Sequence, residues 1–173
     1  VFLLDVSGSM NSPDKLPLLI SAFKLLSGEL TERDRVSIVV YAGAAGMVLE
    51  PTPGNETATI TAALDKLSAG GSTAGGEGIK LAYAAARQAF IEDGINRILL
   101  ATDGDFNVGI VDFQQLLDMV ERERKDGVSL TTLGFGQGNY NERLMEQLAN
   151  KGNGNYAYID TLNEANKVLV TEM

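Results

Sequence analysis

Three oxygen-bearing side chains stand at alternate positions in Asp5-Val6-Ser7-Gly8-Ser9, directly after the apolar run Val1 to Leu4. Alternate side chains of an extended segment share a face. Where the chain curls over a strand end, all three can converge on one point. Two later stretches offer more oxygen. The loop Gly70-Gly71-Ser72-Thr73-Ala74-Gly75-Gly76 carries the Thr73 hydroxyl on a backbone able to approach a ligand closely. The segment Thr102-Asp103-Gly104-Asp105 follows the apolar residues Ile98 to Ala101. Hydroxyls, carboxylates and carbonyls are ligands for hard cations such as Mg²⁺, Mn²⁺ and Ca²⁺. Taken alone, Asp-x-Ser-x-Ser reads almost as well as a turn in which Asp and Ser bond their own backbone. The metal reading comes from the three stretches in combination.

Charge favours a particular kind of metal centre. Asp5 and Asp103 supply two negative charges, whereas Ser7, Ser9 and Thr73 are neutral. Mg²⁺ takes near-octahedral oxygen ligands and keeps several waters. If the hydroxyls bind directly and the carboxylates hold waters, the ion stays electrophilic and keeps a position for an outside carboxylate. A cage of several carboxylates would saturate it.

The rest of the composition excludes much else. The 173 residues include no His, Cys or Trp. That removes Ser-His-Asp and Cys-His catalysis, zinc sites of imidazole or thiolate, haem and iron–sulfur ligation through those side chains, and disulfides. Lys and Arg number 14 against 23 Asp and Glu, a net charge of −9. This balance speaks against nucleic acid, which needs clustered basic residues, and against an anionic membrane surface. No apolar run approaches the roughly 20 residues of a spanning helix, so direct membrane insertion is not expected. Hydrophobic residues make up 45% of the chain, enough for one substantial core. Both ends lie inside apolar or helical patterns, which reads as a single domain over residues 1–173 excised from a longer protein.

The candidate ligands must be positioned by the elements around them. Val1 to Leu4, Val36 to Ala42, Ile98 to Ala101, Val128 to Phe135 and Tyr156 to Ile159 predict strands. Most are apolar or small on both faces, as parallel strands covered on two sides are. Met47 to Leu49, between Gly46 and Pro51, predicts a short edge strand. Between them, three- and four-residue spacings predict amphipathic helices through Leu16 to Leu30, Ile60 to Leu67, Ile79 to Phe90, Phe113 to Val120 and Leu144 to Leu148. Gly94, Gly127 and Gly152 are expected to end helices, and Thr161 to Glu164 to open the last one as a capping box. Alternating strands and helices imply an open, mostly parallel α/β sheet with helices on both faces. In such sheets ligands sit beyond the carboxyl ends of the strands, at the point where strand order reverses.

Asp-x-Ser-x-Ser after a strand, the Gly-Gly-Ser-Thr loop, and Thr-Asp-Gly after a central strand occur here in the order that resembles the von Willebrand factor A domain. The resemblance spans essentially the whole chain. Met10 and the spelling Thr102-Asp103-Gly104-Asp105-Phe106-Asn107 are similar to bacterial members, several of them surface or periplasmic lipoproteins by sequence. The resemblance implies a doubly wound, Rossmann-like six-stranded sheet of order 3-2-1-4-5-6 with an antiparallel third strand. It also implies a metal-ion-dependent adhesion site (MIDAS) made of Asp5, Ser7, Ser9, Thr73 and Asp103. In that site Ser7, Ser9 and Thr73 bind the ion directly, and Asp5 and Asp103 bind mainly through water. Mg²⁺ is the implied cofactor, with Mn²⁺ or Ca²⁺ as alternatives. The implied partner is a protein bearing an acidic side chain, or another domain of the parent chain, in an extracytoplasmic setting. The last helix, about Leu162 to Met173, is shorter than in family members that switch affinity by moving it.

Other readings fare worse. Gly71 to Gly76 has phosphate-loop spacing, but Glu77 and Gly78 stand where Lys and Ser/Thr belong. Asn139 spoils a dinucleotide fingerprint in Gly134 to Asn139, and Ser7 and Ser9 do not fit an EF-hand. Asp105 and Glu77 read as rim or helix-start charges. Tyr140, Tyr156 and Tyr158 read as half-buried structural residues. A Mg²⁺-dependent phosphohydrolase with Asp5 as nucleophile is the main alternative function. It lacks the second Asp two residues on, where Ser7 stands, and a separate general acid or base. A purely structural domain with a vacant site is the third. The expectation is therefore a binding module rather than an enzyme.

Overall fold

The computed structural model describes residues 1–42, 45–70, 75–103, 113–136 and 142–171. Its six-stranded sheet has the order β3-β2-β1-β4-β5-β6, with β1 Phe2–Asp5, β2 Arg35–Tyr41, β3 Ala45–Pro53, β4 Asn96–Thr102, β5 Val128–Phe135 and β6 Tyr156–Ile159. All neighbouring pairs are parallel except β2 with β3. This is the doubly wound order expected, and its reversal point lies between β1 and β4.

The helices α1 Leu16–Ser27, α2 Thr57–Asp65, α3 Gly75–Gln88, α4 Phe113–Lys125, α5 Glu142–Lys151 and α6 Leu162–Asn166 cover both faces. Phe2, Leu4, Leu99 and Ala101 point to the face packed by α1, α2 and α6. Leu3, Ile98 and Leu100 point to the face packed by α3, α4 and α5. Because side chains alternate along a strand, a sheet buried on both sides must be apolar at nearly every position. The central strands were legible for that reason.

Three details differ from the sequence reading. The edge strand β3 runs on past Pro51 to Pro53. Its register against β2 shifts on both sides of Ile38, so Pro51 sits where the ladder is already broken. An outermost strand with a bulge tolerates residues that lack an N–H donor. Second, α3 ends at Gln88, before Gly94, and the left-handed residue in that turn is Asp93, with φ 62°. After α5 the left-handed residue is Asn153, not Gly152. Gly152 is instead required by space, since a Cβ there would lie 2.6 Å from Leu130 Cβ. Gly127 does end α4 in the left-handed region, with φ 95°. Third, the final helix is α-helical only over Leu162–Asn166 and continues as a π-helical turn, Lys167–Thr171. Thr161 caps it as expected, accepting from the Glu164 N–H at 3.1 Å.

Candidate metal centre

Asp5 is the last residue of β1, in register with Tyr41 of β2. On the other side Leu4 pairs with Ala101 of β4, which brings Thr102 and then Asp103 to the same sheet edge. The neighbouring strands thus deliver Asp5 and Asp103 to the reversal point, where α/β sheets bind ligands. Asp5 is fully buried, Ser7 and Asp103 nearly so, and Ser9 is exposed.

Hydrogen bonds fix the Asp5 carboxylate on both sides. Ser7 donates to Oδ1 through its backbone N–H at 2.9 Å and its hydroxyl at 2.6 Å. Thr102 donates to Oδ2 through its hydroxyl at 2.7 Å. Ser7 Oγ and Ser9 Oγ lie 3.2 Å apart. The turn carrying them is anchored beneath. Ser7 leads into a 3₁₀ turn, Gly8–Asn11, Met10 N donates to Ser7 O at 3.0 Å, and the Met10 side chain is wholly buried. The Val6 carbonyl accepts from Gly70 N at 2.8 Å, so the chain entering the Gly-rich loop is tied to the Asp5 turn. Thr73 itself lies outside the described residues, as do Asp105, Asn107 and Tyr140. Glu77 is exposed on the first turn of α3.

Burial raises the Asp5 carboxyl above its usual range, and the nearby Asp103 charge adds to the rise, while the hydrogen bonds from Ser7 and Thr102 oppose it. Two carboxylates at one dry edge call for positive charge. The donor set fits a small hard cation. Neighbouring oxygens of an octahedron with ligands at about 2.1 Å lie roughly 3.0 Å apart, close to the Ser7–Ser9 separation of 3.2 Å. Among the described residues no group of three or more carboxylates could hold a metal ion.

Two residues at this edge escaped the sequence reading. Within its motif Thr102 signals no role of its own, yet the β1–β4 pairing makes it the second support of Asp5. Strand alternation placed it on the face shared with Ile98 and Leu100, and that was the available signal. Lys15 Nζ pairs with Asp103 Oδ2 at 3.1 Å across 88 residues of chain, and nothing local announced it.

The fold and this oxygen-rich edge define a class: doubly wound α/β domains with an Asp-x-Ser-x-Ser turn at the reversal point. The chain belongs to the von Willebrand factor type A domain family, whose model matches residues 1–171. This is a family of metal-dependent adhesion and protein-interaction modules. Its relatives include Escherichia coli (strain K12) YfbK, 56% identical over 173 residues, which is all of this chain but 30% of that protein. In fold it is similar to an aerotolerance-related membrane protein from Bacteroides fragilis, with TM-score 0.80 and 24% identity over 99% of this chain and 96% of that one. It is also similar to proximal thread matrix protein 1 from the mussel byssus, solved with zinc in its MIDAS motif, with TM-score 0.70 and 23% identity over 97% of this chain and 42% of that one. Among the described residues no helix is long and apolar enough to cross a membrane.

Proposed function

We propose that this domain binds a protein partner through a divalent cation, with a partner Asp or Glu completing the coordination sphere. The cation is held by Asp5, Ser7, Ser9, Thr73 and Asp103, and Mg²⁺ is its first candidate, ahead of Mn²⁺ and Ca²⁺. The observation that carries the reading is the division of labour at the sheet edge. Asp5 is buried with both oxygens engaged, while the Ser7 and Ser9 hydroxyls lie side by side and Ser9 faces solvent. Asp5 orients Ser7 by accepting from its hydroxyl and its N–H, and Thr102 holds Asp5 in turn. A bound cation would supply an electrophilic position for an incoming carboxylate. The turn at Ser7 to Met10, with Ser9 exposed, is the described part of the face that reads the partner.

Asp5 is poorly placed to attack a phosphoryl group, since it is wholly buried and its lone pairs accept three hydrogen bonds. A binding role is favoured over a phosphohydrolase for that reason. The partner is either a separate protein or another domain of the parent chain. YfbK extends well beyond the matched segment, this chain spanning 30% of it. An extracytoplasmic setting belongs to the same proposal, in keeping with the membrane protein of similar fold from Bacteroides fragilis.

Calorimetric titration with Mn²⁺ tests the centre: one saturable site in the wild type, lost in Asp5→Ala with folding retained. A random-peptide library selected on the domain in Mg²⁺ tests the partner chemistry. Retained peptides should carry Asp or Glu and be released by EDTA. Retention unchanged by EDTA would reject the mechanism.

A further inference from the structure

Lys15 stands at the N-terminal boundary of α1, and its Nζ lies 3.1 Å from Asp103 Oδ2. This is not a loose surface pair, because the side chains are only 20% and 4% exposed. The lysine stem is seated over the end of β5. A Cβ added at Gly136 would lie 2.7 Å from Lys15 Cγ and Cε, so the stem crosses backbone that is bare only because the residue is glycine. Gly136 has φ 81°, in the left-handed region that glycine tolerates. Its carbonyl is pinned by the Tyr158 hydroxyl, which donates at 2.6 Å. A glycine, a tyrosine and the start of a helix together deliver one ammonium to one of the two carboxylates of the candidate centre.

We propose that Lys15 is a tethered counter-cation of this centre: it pairs with Asp103 when no divalent ion is bound and yields that carboxylate when one arrives. The proposal rests on the metal-centre reading above. A fixed positive charge beside Asp103 offsets part of the repulsion between the two site carboxylates, so the edge keeps its shape without an ion. The same charge opposes an incoming divalent cation, and in a poorly solvated site that repulsion is weakly screened. Lys15 therefore sets the metal affinity below what the oxygen ligands alone would give. The centre then fills and empties with the surrounding cation concentration rather than staying saturated. An ordinary structural ion pair would do something else: it would stabilise the fold to a similar degree with or without metal, and its loss would not strengthen metal binding.

Mn²⁺ titrations of the wild type, Lys15→Met and Lys15→Gln separate the two. Met keeps an unbranched stem over Gly136 while removing the charge, and Gln is the second variant should Met fold poorly. The expected result is Mn²⁺ binding tighter by about tenfold or more in the uncharged variants. Their melting temperature should fall without metal and recover with saturating Mn²⁺. In the wild type, the Lys15 ammonium resonance should shift on adding Mg²⁺. Equal or weaker Mn²⁺ affinity in the variants, with wild-type binding intact, overturns the role of Lys15 and leaves the metal centre standing. Absence of Mn²⁺ binding in every form overturns both.

Discussion

Asp5 is held where a charge is costly and where a cation would make it useful. Desolvation disfavours its ionised form, and the neighbouring Asp103 makes matters worse. Ser7 and Thr102 offset this with three hydrogen bonds. The metal-free site should therefore be a weak point in stability. Asp5→Asn keeps the shape and removes the charge. It is expected to raise the metal-free unfolding free energy by about 1–2 kcal/mol while abolishing Mn²⁺ uptake. Urea denaturation followed by calorimetry measures both. A variant less stable than the wild type would mean that the hydrogen bonds outweigh the burial cost.

Among the elements, α3 and α4 cover the same face of the sheet, and the side-chain contact between them carries an imperfection. Arg87 of α3 pairs with Glu123 of α4. Beside them, the Tyr83 hydroxyl and Glu123 Oε2 are buried with no hydrogen-bond partner among the described residues. Burial pushes the Tyr83 phenol well above its usual value, and the Glu123 charge pushes it further. The sign of the linkage follows. Above about pH 10 an unfolded tyrosine loses its proton while the native one keeps it, so the native state binds more protons and stability falls as pH rises. Tyr83→Phe should flatten that alkaline loss. At neutral pH it should be neutral or stabilising by up to about 1 kcal/mol, because it deletes a desolvated hydroxyl. Urea midpoints at neutral and alkaline pH provide the check, and an unchanged alkaline slope would count against the assignment.

At the scale of the whole molecule, the net charge of −9 opposes the proposed partner chemistry. An acidic ligand must approach a negative protein and be captured by one local cation. Long-range repulsion between like charges is screened by salt, whereas a close, partly buried contact is screened much less. Association of an acidic peptide in Mg²⁺ is therefore expected to quicken as salt rises from low to physiological ionic strength, with dissociation changing less. Stopped-flow or surface-binding kinetics reads this directly. A falling association rate would point to a basic docking surface and a different mode of recognition.

What the sequence determined by itself was whatever repeats at short range. Strands buried on both faces are apolar at nearly every position, so Leu3, Leu4, Leu99 and Leu100 announced the sheet. Amphipathic spacing announced the helices, and Asp5, Ser7 and Ser9 announced a turn rich in oxygen. Left to the tertiary structure was everything carried by contacts between distant segments. Only the β1–β4 pairing shows that Thr102 supports Asp5, and only the packing over Gly136 brings Lys15 to Asp103. The ends of elements also belonged there: Pro51 and Pro53 lie within β3 because it is an edge strand with a broken register, a property of its neighbour rather than of its own residues. Side-chain type and spacing encode which face a residue seeks, but the partner it meets there depends on how the chain crosses over, and no local pattern records that.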